Sequence, residues 1–261
     1  MTVKLSFVIP TYNRKDNLYI ALHGLVYQSR REFEVIVCDD GSEDGSFNVL
    51  SGFEKYFPLK YYRQTHEVYG TPRLRNQGTR LARPGTTHLW YLDSDVVLNP
   101  EAVKLAWMPM LKNPATVIAG MYHWMSPRRA TPALVKDWPA FIANTRVYED
   151  SRKAWNNEKI LASGAALSGN LIVPMCAFLA TGGFDEEAPG AYGDDCEFGH
   201  ALRRANIMML LNKDIVGYHQ HHAPAHSSEE RRRLVRETIR YVHEKYNIPL
   251  DEERHLPPLA V

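Results

Sequence analysis

A largely apolar run, His88-Leu89-Trp90-Tyr91-Leu92, ends abruptly at Asp93-Ser94-Asp95, and this junction restricts the fold more than any other feature of the chain. The run reads as a buried strand, so two carboxylates stand where a strand stops. In an α/β sheet the carboxyl ends of the strands form the ligand crevice. Residues i and i+2 of an extended segment point the same way, so Asp93 and Asp95 are expected to face one cation. A hard divalent ion held by one or two carboxylates, with water and substrate phosphates completing its shell, is the usual Mg2+ or Mn2+ arrangement in nucleotide chemistry. An isolated Asp-x-Asp is equally at home in a polar loop, so the weight rests on what flanks it.

Strands and helices alternate from the start. Val3 to Ile9 reads as a first strand ending at Pro10. Leu18, Ala21, Leu22, Leu25 and Val26 then recur at helical spacing, and Phe33 to Cys38 forms a second strand before Asp39-Asp40-Gly41-Ser42. Strand, helix, strand implies a parallel pair. Phe47, Leu50 and Phe57 suggest a helix, Leu59 to Arg63 a short strand, and Pro72 the first turn of a helix through Leu81. Asn99-Pro100-Glu101 carries the signals of a helix start, and Thr116 to Met121 reads as a strand. From Trp124 to Ser168 the pattern favours loops and short helices. Gly169 to Pro174, Ile207 to Leu211 and Val216 to His219 then read as strands, with helices after Pro174, from Asp194, and from Ser227 to Tyr246.

No linker divides the 261 residues, which reads as one domain with a tail. The expected boundaries are 1–226 for the domain, with a nucleotide-binding half at 1–95 and an acceptor half at 96–226, followed by a helical tail at 227–261. A formal net charge of +1 gives no global pull toward nucleic acid or membrane. Cys38, Cys176 and Cys196 lack CxxC spacing, which disfavours a disulfide framework or structural zinc. With no apolar stretch of about 18 residues, the expectation is a cytoplasmic protein. The basic run Arg231-Arg232-Arg233 reads first as a solvated helix face and second as a peripheral contact with anionic lipid.

Six segments in order resemble family 2 glycosyltransferases of the GT-A fold: Ser6-Phe7-Val8-Ile9-Pro10-Thr11-Tyr12-Asn13-Arg14, Glu34 to Gly45, Leu74-Arg75-Asn76-Gln77-Gly78, Tyr91-Leu92-Asp93-Ser94-Asp95, Gly182-Gly183-Phe184-Asp185-Glu186 and Gly193-Asp194-Asp195. The resemblance implies an α/β fold: a single Rossmann-like mixed sheet flanked by helices, with a C-terminal helical tail. It also implies an inverting transfer of a sugar from a nucleotide-sugar donor, a UDP-sugar first, to a saccharide or other hydroxyl acceptor, with Mn2+ or Mg2+ as cofactor.

Site roles follow from the matched positions. A uracil ring presents an N3–H donor, which suits a carboxylate, and the resemblance assigns Asp40 to it. Pro10, Thr11 and Tyr12 would surround base and ribose, and Asp39 would support the turn. Arg75 would lie near the donor phosphates or sugar, whereas Arg73 and Arg80 read as solvated. Of the Asp93-Ser94-Asp95 motif, Asp93 would meet ribose or sugar and Asp95 the metal, with His219 as a further ligand. His221, His222 and His226 compete for that assignment, and the whole histidine cluster is also readable as a zinc site. Asp195 would be the catalytic base, although Asp194 stands where the family usually carries Glu. Asp194, Trp155, Gly169 and Asn170 are the acceptor-side candidates. A nucleotidyltransferase is the first alternative, but Pro10-Thr11-Tyr12-Asn13 lacks its Gly-rich phosphate loop. A non-catalytic nucleotide-sugar or carbohydrate-binding module is the second, and the joint presence of Asp40, Asp95 and Asp195 argues against it.

Overall fold

Leu5–Thr11 (β1) is buried along its whole length, because the sheet it belongs to is covered on both faces. The computed structural model describes residues 2–66, 70–126, 130–149, 159–161, 166–189, 193–223 and 227–247. After β1 come α1 (Lys15–Val26), β2 (Phe33–Asp39), β3 (Leu59–Arg63), α2 (Thr71–Leu81), β4 (His88–Leu92) and β5 (Val96–Leu98). They are followed by α3 (Ala102–Lys112), β6 (Val117–Met125), α4 (Pro132–Lys136), α5 (Trp138–Asn144), β7 (Val147–Tyr148) and β8 (Lys159–Leu161). The chain continues with β9 (Asn170–Pro174), α6 (Met175–Thr181), α7 (Asp194–Arg204), β10 (Met208–His219) and α8 (Ser228–Tyr246).

The sheet order is β3-β2-β1-β4-β9-β6-β10-β5, with β7 added to β6 and β8 to β10. β1 runs parallel to β2 and β4, whereas β9 runs antiparallel to β4 and β6. Alternate strand residues enter opposite cores. Leu5, Phe7, Ile9, Trp90 and Leu92 pack with α1 and α3, while Val8, Leu89 and Tyr91 pack with α2, α6 and α7. The mixed sheet flanked by helices agrees with the α/β expectation. Among the described residues no helix is long and apolar enough to cross a membrane.

Several elements differ from the pattern-based reading. The helix suggested by Phe47, Leu50 and Phe57 is a 3-10 helix, Ser46–Gly52, that ends before Phe57. Asn99 does not cap α3, because its side chain joins β10: its Oδ1 accepts from Val216 N at 3.1 Å. The strands expected at 207–211 and 216–219 are one strand, β10, irregular between Asn212 and Val216, where its pairing register with β6 shifts.

The surface helix α8 is tied to the start of α7. Lys245 donates to Asp185 Oδ2 at 2.7 Å and to the buried Glu197 Oε1 at 2.6 Å. Tyr246 donates to the same Glu197 oxygen at 2.5 Å, and Thr238 donates to Pro189 O at 2.8 Å. A cavity of about 450 Å3 beside this network is lined by Asn76, Arg80, Phe184, Glu197 and Lys245, and by none of Asp40, Asp95 or Asp195. Replacing Lys245 by Ala should leave Glu197 with one donor fewer in a buried setting, at a cost of about 1–2 kcal/mol. Thermal unfolding checks this, with a fall of roughly 2–4 °C per kcal/mol expected for a domain of this size.

Candidate active site

The parallel strands β1, β2 and β4 end side by side, so Tyr12, Asp40 and Asp93 emerge at one edge of the sheet. Pro10 is buried in β1. Thr11 is buried beyond it, with an Oγ1 that has no hydrogen-bond partner. Asp39 builds the turn: its Oδ1 accepts from Ser42 N at 2.8 Å, its Oδ2 from the Tyr61 hydroxyl at 2.7 Å, and Gly41 supplies the positive φ of +80°. Asp40 points elsewhere. Gln64 Nε2 donates to its Oδ1 at 2.5 Å, and His66 Nδ1 to its Oδ2 at 2.7 Å. The His66 ring also lies flat on the exposed Tyr12 ring, with centroids 4.1 Å apart.

The Asp93-Ser94-Asp95 segment is not extended. Val96 N bonds back to Asp93 O at 3.1 Å, so a tight turn separates the two carboxylates and the expectation that both face one cation is corrected. Asp93 Oδ1 accepts from Arg75 at 3.0 Å and its Oδ2 from the Tyr122 hydroxyl at 3.1 Å. Burial drives the Tyr122 hydroxyl far above its ordinary pKa, helped by the charges of Asp93 and Asp95. Ser94 is buried. Asp95 faces two histidines instead. Because β5 pairs with the end of β10 and Gln220 N bonds Asp95 O at 2.8 Å, His219 Nε2 comes within 3.5 Å of Asp95 Oδ2 and His222 Nε2 within 3.0 Å. The candidate ligand atoms of these three residues lie within 4.8 Å of one another. Burial alone would raise the Asp95 carboxyl, but the His219 charge and the His222 hydrogen bond outweigh it and hold the pKa below the usual carboxylate value.

Arg75, from α2, occupies the middle of the acidic group, almost fully buried. Its guanidinium pairs with Asp194 and Asp93 and lies 3.9 Å from Asp195 Oδ1. Arg75 is thus held among carboxylates, one of them the Asp93 expected beside ribose or sugar, and Asp194, 3% exposed, anchors that arginine. Asp195 stays 28% exposed at its side chain and accepts from both the backbone and the hydroxyl of Ser168. Its pKa is raised: burial, reinforced by the Asp93 charge, outweighs the opposing pull of Arg75 and Ser168.

Asn170 needs a further correction. Its Nδ2 donates to Met121 O at 2.9 Å and its Oδ1 accepts from Trp90 Nε1 at 2.9 Å, so it braces the sheet from within. Gly169 lies against Asp93, where a Cβ would come within 2.5 Å of Asp93 Oδ2 and of the Tyr122 ring. Trp155 and His226 lie outside the described residues. The sequence reading missed Tyr122, Ser168, Gln64 and His66, none of which sits in a motif.

A model of the family described as Glycosyl transferase family 2 matches residues 6–167. The chain belongs to that family. Validoxylamine A glucosyltransferase of Streptomyces hygroscopicus subsp. jinggangensis is 31% identical over 245 residues, covering 86% of this chain and 57% of that relative. Hyaluronan synthase of Pasteurella multocida is 27% identical over 286 residues, covering 96% of this chain and 28% of that protein. The chain thus spans about half the length of the first relative and less of the second. Among solved structures, S. aureus TarS 1-349 in complex with UDP-GlcNAc superposes with a TM-score of 0.67 at 20% identity, covering 96% of this chain and 68% of that one. A mannosyltransferase from Pyrobaculum calidifontis in complex with GDP-Man and Mn2+ gives 0.64 at 14% identity, covering 94% and 64%. These likenesses establish the GT-A type of fold for this family 2 chain.

Replacing Arg75 by Gln should remove the one guanidinium that pairs Asp93 with Asp194, at a cost of about 3–5 kcal/mol at neutral pH. Without it the carboxyls of Asp93 and Asp195, which burial already raises against the pull of Arg75, rise further above their unfolded values. The folded protein then binds the extra protons more tightly, and the deficit should shrink as the pH falls toward 4. Urea unfolding across pH 4–8 reads this; a deficit that stays constant with pH would contradict the assignment.

Proposed function

We propose that this chain transfers a sugar, from a UDP-sugar first among nucleotide-sugar donors, to an acceptor hydroxyl with inversion of the anomeric centre. The observation that supports this most is geometric: in one crevice Asp95 Oδ2 faces His219 Nε2 at 3.5 Å and His222 Nε2 at 3.0 Å, while Asp195 is held through Oδ1 by Ser168 and keeps a partly exposed side chain. Asp95 is held below the ordinary carboxylate pKa beside two histidines, whereas Asp195 is raised. Environments that push two carboxyl pKa values apart mark different roles, one group remaining charged and the other able to take a proton.

The Asp95 group fits a divalent cation. Asp95 Oδ1 is buried with no hydrogen-bond partner. His222 bonds Ala223 O through Nδ1 at 2.9 Å and also turns Nε2 to Asp95. With Nδ1 as donor, Nε2 of the neutral ring carries a lone pair toward a carboxylate, a contact that either a proton or a metal ion reconciles. One carboxylate and two imidazoles favour Mn2+ over Mg2+, which prefers an all-oxygen shell. Bound there, the ion would offset the charge that accumulates on a departing nucleoside diphosphate.

The remaining roles belong to the protein's own groups. Asp40, beside Tyr12, reads the base. Asp93, held by Arg75 and Tyr122, faces the ribose or sugar. Ser168 fixes Asp195 Oδ1, which leaves Oδ2 to receive the proton of the acceptor hydroxyl as its oxygen forms the new bond to the anomeric carbon and the diphosphate departs from the opposite face. Sugar-donor transfer to a saccharide or other hydroxyl is the reaction class, and residues 1–226 are its unit, with α8 as a brace.

Exchanging Asp195 for Asn preserves shape but removes proton acceptance, so kcat should drop by about 10²–10⁴ while UDP affinity stays near wild type. In the wild type the acid limb of kcat/KM should lie above the ordinary carboxylate range, because the raised group must lose its proton to act. An unchanged kcat in this variant would place the base elsewhere. In a thermal-shift assay, UDP should stabilise the wild type with Mn2+ and much less with EDTA, and Asp95→Ala should lose the difference. Equal shifts with Mn2+ and EDTA would refute the metal assignment.

A further inference from the structure

None of the roles above uses His66, yet it makes two contacts that a nucleobase would make. Its ring lies 4.1 Å from the Tyr12 ring at an interplanar angle of 11°, and its Nδ1 donates to Asp40 Oδ2 at 2.7 Å. Because a carboxylate only accepts, Nδ1 carries the hydrogen. A flat ring on a tyrosine with an N–H aimed at a carboxylate is what uracil offers through N3–H. The two cannot be held together, since a third ring between Tyr12 and His66 would need their separation roughly doubled. The other Asp40 oxygen is taken as well, by Gln64 at 2.5 Å, and Gln64 Oε1 is enclosed without a partner. Gln64 and His66 therefore take both oxygens of the carboxylate. The surroundings are tight, since a Cβ on Gly41 would come within 2.8 Å of His66 N and one on Gly70 within 2.7 Å of Asp40 Oδ1.

We propose that His66 is an internal occupant of the base subsite, which the donor's nucleobase must displace before Asp40 and Tyr12 become available. The proposal rests on the reading of Asp40 as the base-recognising carboxylate. Its consequence is thermodynamic: when only a fraction of molecules has the subsite open, the apparent Kd equals the intrinsic Kd divided by that fraction. His66 thus lowers donor affinity without touching the diphosphate or the sugar, and a base that enters must match the stack and the hydrogen bond it replaces.

Calorimetry with Mn2+ tests this on the wild type, His66→Ala and the double variant His66→Ala/Asp40→Ala, using UDP and, as a ligand with no base, inorganic pyrophosphate. The His66 side chain is 39% exposed, so the alanine variant should fold. His66→Ala should bind UDP roughly three- to tenfold tighter than wild type, with pyrophosphate affinity equal in both. Unchanged or weaker UDP binding by His66→Ala would overturn the proposal, and weaker binding would make His66 a wall of the site. Equal tightening of UDP and pyrophosphate would also overturn it, because the effect would not lie at the base. The separate control is Asp40→Ala made in the His66→Ala background, where no occupant shares the carboxylate and its loss should weaken UDP but not pyrophosphate. If the double variant binds UDP as well as His66→Ala alone, the reading of Asp40 fails and the occupancy proposal falls with it.

Discussion

Arg75 is the contact on which the crevice depends. A buried guanidinium reaches Asp93 at 3.0 Å, pairs with Asp194 and approaches Asp195, which joins helix α2, the turn after β4 and the first turn of α7 through one side chain. An unpaired buried carboxylate costs several kcal/mol, so acids at these three positions are tolerable only with a cation among them. The geometry of the candidate base follows. Asp195 sits beside Asp194 at the head of a helix whose outer side is braced by Glu197, Lys245 and Tyr246, so the carboxylate is fixed from both ends of the first turn.

The division between Asp93 and Asp95 has a similar origin. One turn of backbone sends Asp93 toward Arg75 and Tyr122 and Asp95 toward His219 and His222. Their carboxyls move in opposite directions as a result. Asp93 is raised by burial against the pull of Arg75, and Asp95 is lowered by its histidines. Two residues apart in sequence, they sit in different electrostatic surroundings because the strands on either side belong to different parts of the sheet.

Much of this was legible in the sequence, and what was missed has a common cause. Buried parallel strands announce themselves as apolar runs, so β1, β2 and β4 were readable, and the acids at their ends located the crevice. The period-2 argument failed for Asp93 and Asp95 because β4 stops at Leu92, and a strand's end depends on its partner: β9 begins opposite, at Asn170. The three-residue β5 is too short to show a period and exists because β10 pairs with it. Asn99 carried a capping signal, but β10 claimed its side chain first. Ser168, Tyr122, Gln64 and His66 lie in segments without a motif, and only the folded chain brings them to the acids.

The crevice's own charge then bears on how a nucleotide sugar would be held. Asp40, Asp93, Asp95, Asp194 and Asp195 line one region, Arg75 is already committed within it, and the chain as a whole is nearly neutral at +1. A diphosphate approaching such a surface meets repulsion that screening weakens only beyond about 10 Å. Under the proposed function the attraction has to be local, and it must come from positive charge that the carboxylates do not already neutralise. Arg14, whose charge acts on Asp95 and His222, is one source, and a cation bound by His219, His222 and the unpartnered Asp95 Oδ1 would be the other. On this view the acids do not merely tolerate the metal site. Their excess over the buried Arg75 makes a cation there a favourable contributor to donor binding, and so links recognition of the diphosphate to the same two histidines that hold the Asp95 carboxyl down.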